Sequence, residues 1–307
     1  MSRLWRLWLV SLALIVSPVQ ADDEPLNFDL PTLGGLQFWA DEFLYAEWRI
    51  QRNVYTGHWR LLDPDDVRRA WGNYSQCRSA FRELRQQKHL RPESTHLVML
   101  IHGLGRSRDS FGDLAERLRD AGYDAAGINY PSLYQSIDET AEQVERVLDR
   151  LDGTETVSFV THSLGGLVLR ATLARNGAWR ERIAVHRAVQ VAPPNQGSAV
   201  AGLLSGLAPY HWLIGDVGGE LTPEWVADLP GLDIPFAIIA GGRSDGVGFN
   251  PLIDGDDDGT LAIAETELAG GDDFLVVNSL HSFVQADEQA IAAILSYLES
   301  GRLGHDG

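Results

Sequence analysis

From Thr95 to Leu298, short continuous hydrophobic runs alternate with segments whose hydrophobic residues recur at helical spacing. The nearly continuous apolar run at 96–101 is typical of a parallel strand buried on both faces. Apolar residues at steps of three and four between Ile137 and Leu151 predict an amphipathic helix. The same patterns predict further helices at 111–122, 164–175 and 286–298, and further strands at 123–128, 157–162, 188–192, 234–240 and 274–277. Strands alternating with helices in this way indicate an α/β fold with a mostly parallel sheet and helices on both faces.

The region before this pattern is rich in aromatic residues. Apolar spacing across 43–50 predicts one helix, and Arg78–Lys88 predicts a second, with Phe81 and Leu84 on one face. We interpret residues 22–94 as an aromatic-rich N-terminal extension packed on a main domain at 95–300. A carbohydrate-binding module is the alternative, although aromatic residues at helical spacing more often belong to a core.

The α/β rhythm is interrupted at about 195–230, where glycines stand among leucines and aromatic residues. Such a glycine-hinged apolar insertion at the active edge of a sheet is typical of a lid or of a wall for an acyl chain. A packed connector fits the same composition equally well. If the segment lines a pocket, Trp212 and Leu213 are the candidate substrate-binding residues.

The first 21 residues have the pattern of a secretory signal peptide. Arg3 and Arg6 precede a short apolar run, and small residues precede the expected cleavage after Ala21. A transmembrane anchor is the alternative, but the run is shorter than the ~20 residues that a span needs. We therefore expect an exported protein, periplasmic or secreted, with no integral membrane segment in the mature chain.

Charge restricts the possible partners. The 307-residue chain has a formal net charge of −18, and loss of the signal peptide with its two arginines makes this −20. Because such an acidic surface repels phosphate backbones, we expect no nucleic-acid partner. The single cysteine, Cys77, cannot form an internal disulfide and is expected to be a small buried residue. Nothing in the composition indicates an oligomeric state.

The chemistry is centred on Ser163, which joins an apolar strand to a helix without a spacer. A serine at such a sharp turn projects from the sheet edge, as in the G-x-S-x-G nucleophile elbow. Here Thr161 replaces the first glycine, while Gly165 supplies the second. The alternative is that Ser163 only caps the helix that follows it.

A serine hydroxyl needs a base and an acid that orients the base. His281, between the last strand and the last helix, is placed to be that base. Asp245 and Asp258 both follow the strand at 234–240, so either could be the acid. The backbone N–H of Leu164, at the helix start, is a candidate oxyanion-hole donor, and Leu104, in the turn of 102–105, is the second.

The loop that contains Asp258 also matches an EF-hand calcium pattern, with Asp254, Asp256, Asp258, Gly259 and Glu265 in register. An EF-hand requires a helix on each side of its loop, whereas here the flanks belong to an α/β pattern. A calcium site would take Asp258 away from His281, so the two hypotheses compete. Our prediction is that the site contains no metal.

Several motifs together resemble serine esterases and lipases of the α/β-hydrolase fold, particularly exported bacterial ones. The matching segments are His102-Gly103-Leu104-Gly105, Thr161-His162-Ser163-Leu164-Gly165-Gly166, Pro193-Pro194-Asn195-Gln196-Gly197-Ser198, Asp257-Asp258-Gly259-Thr260 and His281-Ser282-Phe283. The resemblance covers about Thr95 to Leu298. It implies that Asp258 is the triad acid, because similar proteins carry that acid in an Asn-Asp-Gly or Asp-Asp-Gly turn.

The sequence thus predicts an enzyme that cleaves carboxylic esters of small molecules or lipids through an acyl-enzyme, with Ser163, Asp258 and His281 as its triad and no cofactor. An acyltransferase or amidase with the same triad is the nearest alternative. A catalytically inactive hydrolase fold that only binds ligands is the alternative from another class.

Overall fold

Two sheets organise the computed structural model, which describes residues 30–31, 37–92, 94–198 and 216–304. The strands of the first sheet are β1 (Leu30–Pro31), β2 (Trp39–Tyr45), β3 (Trp48–Asn53), β4 (Trp59–Leu62) and β5 (Val67–Gly72). Those of the second are β6 (His96–Ile101), β7 (Asp124–Ile128), β8 (Thr156–His162), β9 (Ala184–Val191), β10 (Phe236–Gly241) and β11 (Asp273–Val277). The first sheet is antiparallel, in the order β1-β5-β4-β3-β2. The second is parallel, in the order β11-β10-β9-β8-β6-β7.

Helices cover both faces of the parallel sheet. The longer helices are α1 (Tyr74–Lys88), α2 (Gly112–Asp120), α3 (Ile137–Arg150), α4 (Leu164–Ala174) and the C-terminal helix Glu288–Ser300, and one-turn helices lie at Pro223–Ala227 and Ile263–Thr266. Helices α3 and α4 pack in one apolar cluster, and α2 and the C-terminal helix pack in another. The predicted α/β architecture is therefore confirmed, with element ends within a few residues of those expected.

Strand β6 shows why the continuous apolar run folds as it does. Leu97, Met99 and Ile101 pack in the cluster of α3 and α4, while Val98 and Leu100 pack in the cluster of α2 and the C-terminal helix. Successive side chains of a strand point to opposite faces, so a strand between two helix layers needs an apolar residue at every position. The carboxyl end of β6 then leads directly into the glycine-containing turn at 102–105.

The helix predicted across residues 43–50 is wrong, because this segment forms the β2–β3 hairpin. Tyr45 pairs with Trp48 across a two-residue loop. The loop residues Ala46 and Glu47 both have positive φ, 47° and 66°, the conformation usually supplied by Asn-Gly or Gly-Gly. Neither residue type signals such a turn. The predicted helix at 78–88 is confirmed within α1, and Phe81 is buried there.

The antiparallel sheet is hydrogen-bonded to the parallel sheet through its edge strand β2. The Asp41 N–H donates to the Asn129 carbonyl at 2.9 Å, and the Asn129 N–H donates to Asp41 Oδ2 at 2.7 Å. Glu42 accepts from Arg146 and Arg150 of α3 at 2.8–3.0 Å. Asn129 follows β7, so these bonds place the start of β2 beside the carboxyl edge of the parallel sheet.

Some of the expectations concern residues outside the described ranges. They concern the signal peptide at 1–21 and residues 199–215 of the insertion at 195–230, which include Trp212 and Leu213. Across the described ranges, we find no helix with the length and apolar character needed to cross a bilayer. Cys77 is buried, as expected, against the antiparallel sheet.

Candidate active site

Ser163 occupies the sharp turn between β8 and α4. Its backbone has φ 52° and ψ −124°, a conformation that is rare and costly for a residue with a Cβ. The Ser163 N–H donates to the Val191 carbonyl at 2.9 Å, which ties the turn to the end of the neighbouring strand. This is the geometry of a nucleophile elbow, and it explains why the serine side chain projects from the sheet edge.

Two glycines after the serine allow the close packing that the elbow needs. A Cβ on Gly165 would lie 2.3 Å from the Ile101 carbonyl oxygen, and one on Gly166 would lie 2.8 Å from Pro193 Cβ. Any side chain at either position would therefore displace neighbouring groups. Thr161, in place of the usual first glycine, is fully buried in β8 between Ile101 and Gln190. The threonine is thus part of the strand itself.

The structure brings Ser163, His281 and Asp258 into one hydrogen-bonded chain. The Ser163 hydroxyl donates to His281 Nε2 at 2.9 Å, and His281 Nδ1–H donates to Asp258 Oδ2 at 2.7 Å. The Asp258 side chain is 1% exposed and that of His281 is 13% exposed. This order of hydroxyl, imidazole and carboxylate can remove the serine proton and stabilise the imidazolium that results.

The acid is fixed by its own loop. Asp258 Oδ1 accepts from the N–H groups of Thr260 and Leu261 at 3.0 and 2.8 Å, and the His281 N–H donates to the Asp258 carbonyl at 2.8 Å. Gly241, at the end of β10, permits this approach, because a Cβ there would lie 2.8 Å from Asp258 Cβ. Both partners are thereby held by backbone as well as by side-chain bonds.

Asp245, the alternative acid, lies elsewhere. It pairs with Arg243 at 3.1 Å and accepts from the N–H groups of Val247 and Gly248. These backbone hydrogen bonds, followed by the nearby Arg243 charge, lower the pKa of its carboxyl. Its carboxylate is therefore engaged within its own turn, whereas that of Asp258 faces His281.

The carboxylates of the calcium-like pattern point to different protein donors. Asp256 Oδ1 accepts from the Arg243 N–H at 2.8 Å, Glu265 Oε2 accepts from the Ala262 N–H at 2.9 Å, and Asp258 is bonded to His281. Calcium needs six to eight oxygen ligands around one centre. The arrangement favours the triad hypothesis over the calcium hypothesis for this loop.

One candidate oxyanion donor, Leu164, follows the serine in the chain, and the other, Leu104, belongs to a neighbouring turn. The turn of residues 103–106 is closed by the Arg106 N–H, which donates to the Gly103 carbonyl at 3.2 Å. A Cβ on Gly103 would lie 3.0 Å from Ser163 Cβ, so this turn lies directly against the nucleophile. Within the described ranges, neither the Leu104 nor the Leu164 N–H donates to a protein acceptor. Both are available to a carbonyl oxygen that gains charge.

Two buried histidines beside the triad were not assigned a role by sequence reasoning. His162 Nε2–H donates to the His281 carbonyl at 2.9 Å, and burial lowers the pKa of His162 to about 3. Burial also lowers the pKa of His102 to about 4. Both rings are therefore neutral near pH 7, so neither adds a positive charge that would oppose protonation of His281. The only sequence signal was their position inside the two motifs.

Comparisons with known proteins agree with this architecture. A family described as a domain of unknown function (DUF7379) matches residues 66–203. No curated protein matches the chain. The mature form of the Bacillus licheniformis lipase BlEst2 is 20% identical, with a TM-score of 0.54, over 66% of this chain and 91% of that one.

Two further solved structures share the fold at similar distance. Phospholipase PlaB from Legionella pneumophila is 15% identical, with a TM-score of 0.53, over 67% of this chain and 59% of its own. The metagenomic carboxyl esterase MGS0156 is 19% identical, with a TM-score of 0.50, over 67% of this chain and 76% of its own. Identity this low speaks for the fold alone. With its six-stranded parallel sheet and its serine elbow, the chain has the α/β-hydrolase fold.

Proposed function

We propose that this protein is a serine hydrolase of carboxylic esters that works through an acyl-enzyme. The observation that carries the proposal is the chain of hydrogen bonds from Ser163 to His281 to Asp258, at 2.9 and 2.7 Å, starting from a strained elbow. Fold alone would not support it, because hydrolase folds also support other functions. The lipases and esterases among the structural neighbours are consistent with it.

In the first half-reaction, Ser163 Oγ attacks the ester carbonyl carbon while its proton moves to His281 Nε2. The carbonyl oxygen becomes an oxyanion, which the Leu104 and Leu164 N–H groups stabilise. His281 then gives the proton from Nε2 to the alcohol oxygen as the ester C–O bond breaks. The alcohol leaves, and the acyl group remains on Ser163.

The second half-reaction repeats these steps with water. His281 Nε2 takes a proton from water, whose oxygen attacks the acyl carbon, and then returns a proton to Ser163 Oγ as the acyl bond breaks. The products are a carboxylic acid and the free serine. Asp258 holds the resting His281 in the tautomer that has a proton on Nδ1 and a free lone pair on Nε2, and it stabilises the imidazolium that forms when Nε2 takes a proton.

The proposal is tested with a fluorophosphonate probe and a panel of p-nitrophenyl esters. We expect the wild type to be labelled on Ser163 and to hydrolyse the esters. Because the acyl-enzyme depends on one oxygen, Ser163→Ala should lose labelling and about 10⁵-fold or more of kcat, with an unchanged circular dichroism spectrum. Near-normal turnover by Ser163→Ala would overturn the proposal, and an unlabelled, inactive wild type would favour a binding module.

Esters of graded acyl-chain length test whether the insertion forms a wall for the acyl group. If Trp212 and Leu213 contact the acyl group, Trp212→Ser should lower kcat/KM for decanoate esters more than for acetate, since only the longer chain reaches the wall. An equal loss on all esters would contradict this assignment. Product analysis with added alcohols would separate hydrolysis from acyl transfer.

We also propose export, which rests on the charge and apolar pattern of residues 1–21. Cell fractionation after expression with and without this segment tests it. N-terminal sequencing of the exported protein should begin at Asp22. A mature chain that retains Met1 would contradict cleavage.

A further inference from the structure

The segment that leads into β2 of the antiparallel sheet contacts the candidate oxyanion turn through the side chain of Gln37. We propose that Gln37 is a positioning residue that holds the turn of residues 103–106, so that the N-terminal sheet completes the active site. This inference rests on the proposed function, because it assigns Gln37 a role in placing the Leu104 N–H. It concerns a residue that precedes both the matched family region at 66–203 and the segment that carries the motifs.

Gln37 uses both ends of its amide. Its Nε2–H donates, at 2.9 Å, to the carbonyl of Arg106, the last residue of the turn. Its Oε1 accepts from the Leu133 N–H at 3.0 Å and from the Ser132 hydroxyl at 3.3 Å. One side chain thus bridges the oxyanion turn and the loop that follows β7.

Ser132 extends this bridge to the middle of the turn. Its Oγ accepts from the Gly105 N–H at 2.9 Å while its hydroxyl proton is donated to Gln37. The turn is therefore bonded on both residues that follow Leu104, at the Gly105 N–H and the Arg106 carbonyl. Gln37 therefore binds the turn directly, through the Arg106 carbonyl, and indirectly, through Ser132.

The position of Gln37 is itself fixed. It lies two residues before β2, whose Asp41 is fully buried and exchanges two hydrogen bonds with Asn129. Gln143 of α3 donates from Nε2 to the Asp41 and Asn129 carbonyls at 2.8 and 2.9 Å. A rigid strand end therefore presents Gln37 to the turn.

The turn needs such support because of its glycines. Gly103 and Gly105 flank Leu104, and Gly105 has φ 67°, which only glycine adopts readily. Rotation of the peptide between Gly103 and Leu104 would turn the Leu104 N–H away from the oxyanion. Such donors act only when placed within a few tenths of an ångström, and loss of one costs about 10²–10³ in kcat.

The first test is the Gln37→Leu variant, which keeps the side-chain size and removes all three bonds. We expect kcat for a p-nitrophenyl ester to fall about 10–100-fold with KM nearly unchanged, because the turn is loosened rather than lost. The affinity for a boronic acid, which forms a tetrahedral adduct on the serine, should weaken in parallel. A uniform rise in KM with normal kcat would overturn the inference.

The matched control is Asn53→Ala in the same sheet. Asn53 also bonds backbone through its side-chain amide, whose Oδ1 accepts from the Tyr55 and Thr56 N–H groups, but its side chain has no hydrogen bond to the turn of residues 103–106. It should lower the melting temperature without changing kcat at 25 °C. If Asn53→Ala lowers kcat as much as Gln37→Leu does, the effect comes from general loosening of the sheet and the positioning role is wrong.

The relay is tested with Ser132→Ala. If Gln37 and Ser132 act on the same turn, the double variant should be about as slow as the slower single variant, since coupled residues are non-additive. Multiplied losses would contradict a shared role.

Hydrogen exchange gives a readout that does not depend on catalysis. The Gly105 and Arg106 amides, which are hydrogen-bonded to Ser132 and to the Gly103 carbonyl, should exchange faster in Gln37→Leu than in the wild type or in Asn53→Ala. Unchanged exchange would overturn the positioning role even if the wild type proved inactive, whereas faster exchange in an inactive protein would refute only the ester-hydrolase proposal.

Discussion

The two sheets of this molecule bury different kinds of side chain. Most buried side chains of the parallel sheet are apolar, and the buried His102, His162 and Asp258 lie near the carboxyl ends of its strands, around the candidate site. The antiparallel sheet instead buries charge within its strands. Asp41, Arg49, Gln51 and Arg60 are all 6% exposed or less.

These buried polar groups are satisfied in different ways. In the antiparallel sheet they bind one another, since Gln51 Nε2 donates to Asp41 Oδ1 at 2.7 Å and Arg60 donates to Gln51 Oε1 at 2.7–2.9 Å. In the parallel sheet, Ser163, His281 and Asp258 form a chain whose outer end is open to a substrate. Buried polar groups thus stabilise the antiparallel sheet, whereas at the parallel sheet they form the candidate active site.

The largest expected effect concerns the triad at the parallel sheet. Asp258→Asn should leave a folded protein whose kcat falls about a thousandfold, because an amide no longer selects the right tautomer of His281. Asp245→Asn should change kcat by less than about threefold, as no bond links Asp245 to the histidine. Steady-state kinetics at pH 8 would measure both. Activity that survives Asp258→Asn but collapses with Asp245→Asn would reverse the assignment.

The second expected effect concerns the stability that the buried polar network gives to the antiparallel sheet. Asp41→Ala should lower the free energy of unfolding by about 3 kcal/mol, because the buried Arg49 loses its nearer carboxylate, 3.4 Å away, and keeps only Asp66 at 4.0 Å. Asp152→Ala removes the partner of Arg85 at the surface and should cost under about 1 kcal/mol. Urea unfolding would compare them. Equal losses would mean that the buried network does not stabilise the sheet.

The third effect is a pH dependence of stability that differs between the sheets. His102 and His162 have folded pKa values of about 4 and 3, below the unfolded value of ~6.5. The unfolded chain therefore binds more protons, and the stability present above pH 6.5 is lost as the pH falls. Burial raises the pKa of Asp41, so its contribution has the opposite sign and is lost as the pH rises.

Urea unfolding between pH 7 and pH 5 would measure this dependence. Each histidine should contribute a slope of up to about 1.4 kcal/mol per pH unit. His162→Leu should reduce the slope by up to about 1.4 kcal/mol per pH unit, whatever its effect on absolute stability. A slope in His162→Leu equal to that of the wild type would show that the His162 ring is not held neutral by the fold.

The parallel sheet could be predicted from sequence because each buried strand is an apolar run and each helix has a periodic face. The antiparallel sheet could not, because β2 is buried on both faces by different partners. Leu44 packs with the cluster of α3, while Phe43 and Tyr45 pack with α1. This removes the alternation that identifies a strand, and the Ala46-Glu47 turn gives no glycine or asparagine signal.

The candidate site shows the same division. Ser163 and His281 could be proposed from local motifs and the order of elements, and choosing Asp258 over Asp245 required a family resemblance. Gln37 could not be found, because its role depends on a contact with Arg106, 69 positions away, and on a β2–β3 hairpin whose sequence pattern predicts a helix. Residues that act through long-range contacts leave no local pattern.

The separation of the triad along the chain has a consequence for biosynthesis. His281 lies 118 residues after Ser163, so at about 5–20 residues per second the ribosome makes the base roughly 6–24 s after the nucleophile. A nascent chain therefore carries the nucleophile before its base has been made, and the triad assembles only when the completed chain folds. On the proposed function, ester cleavage cannot begin before that point.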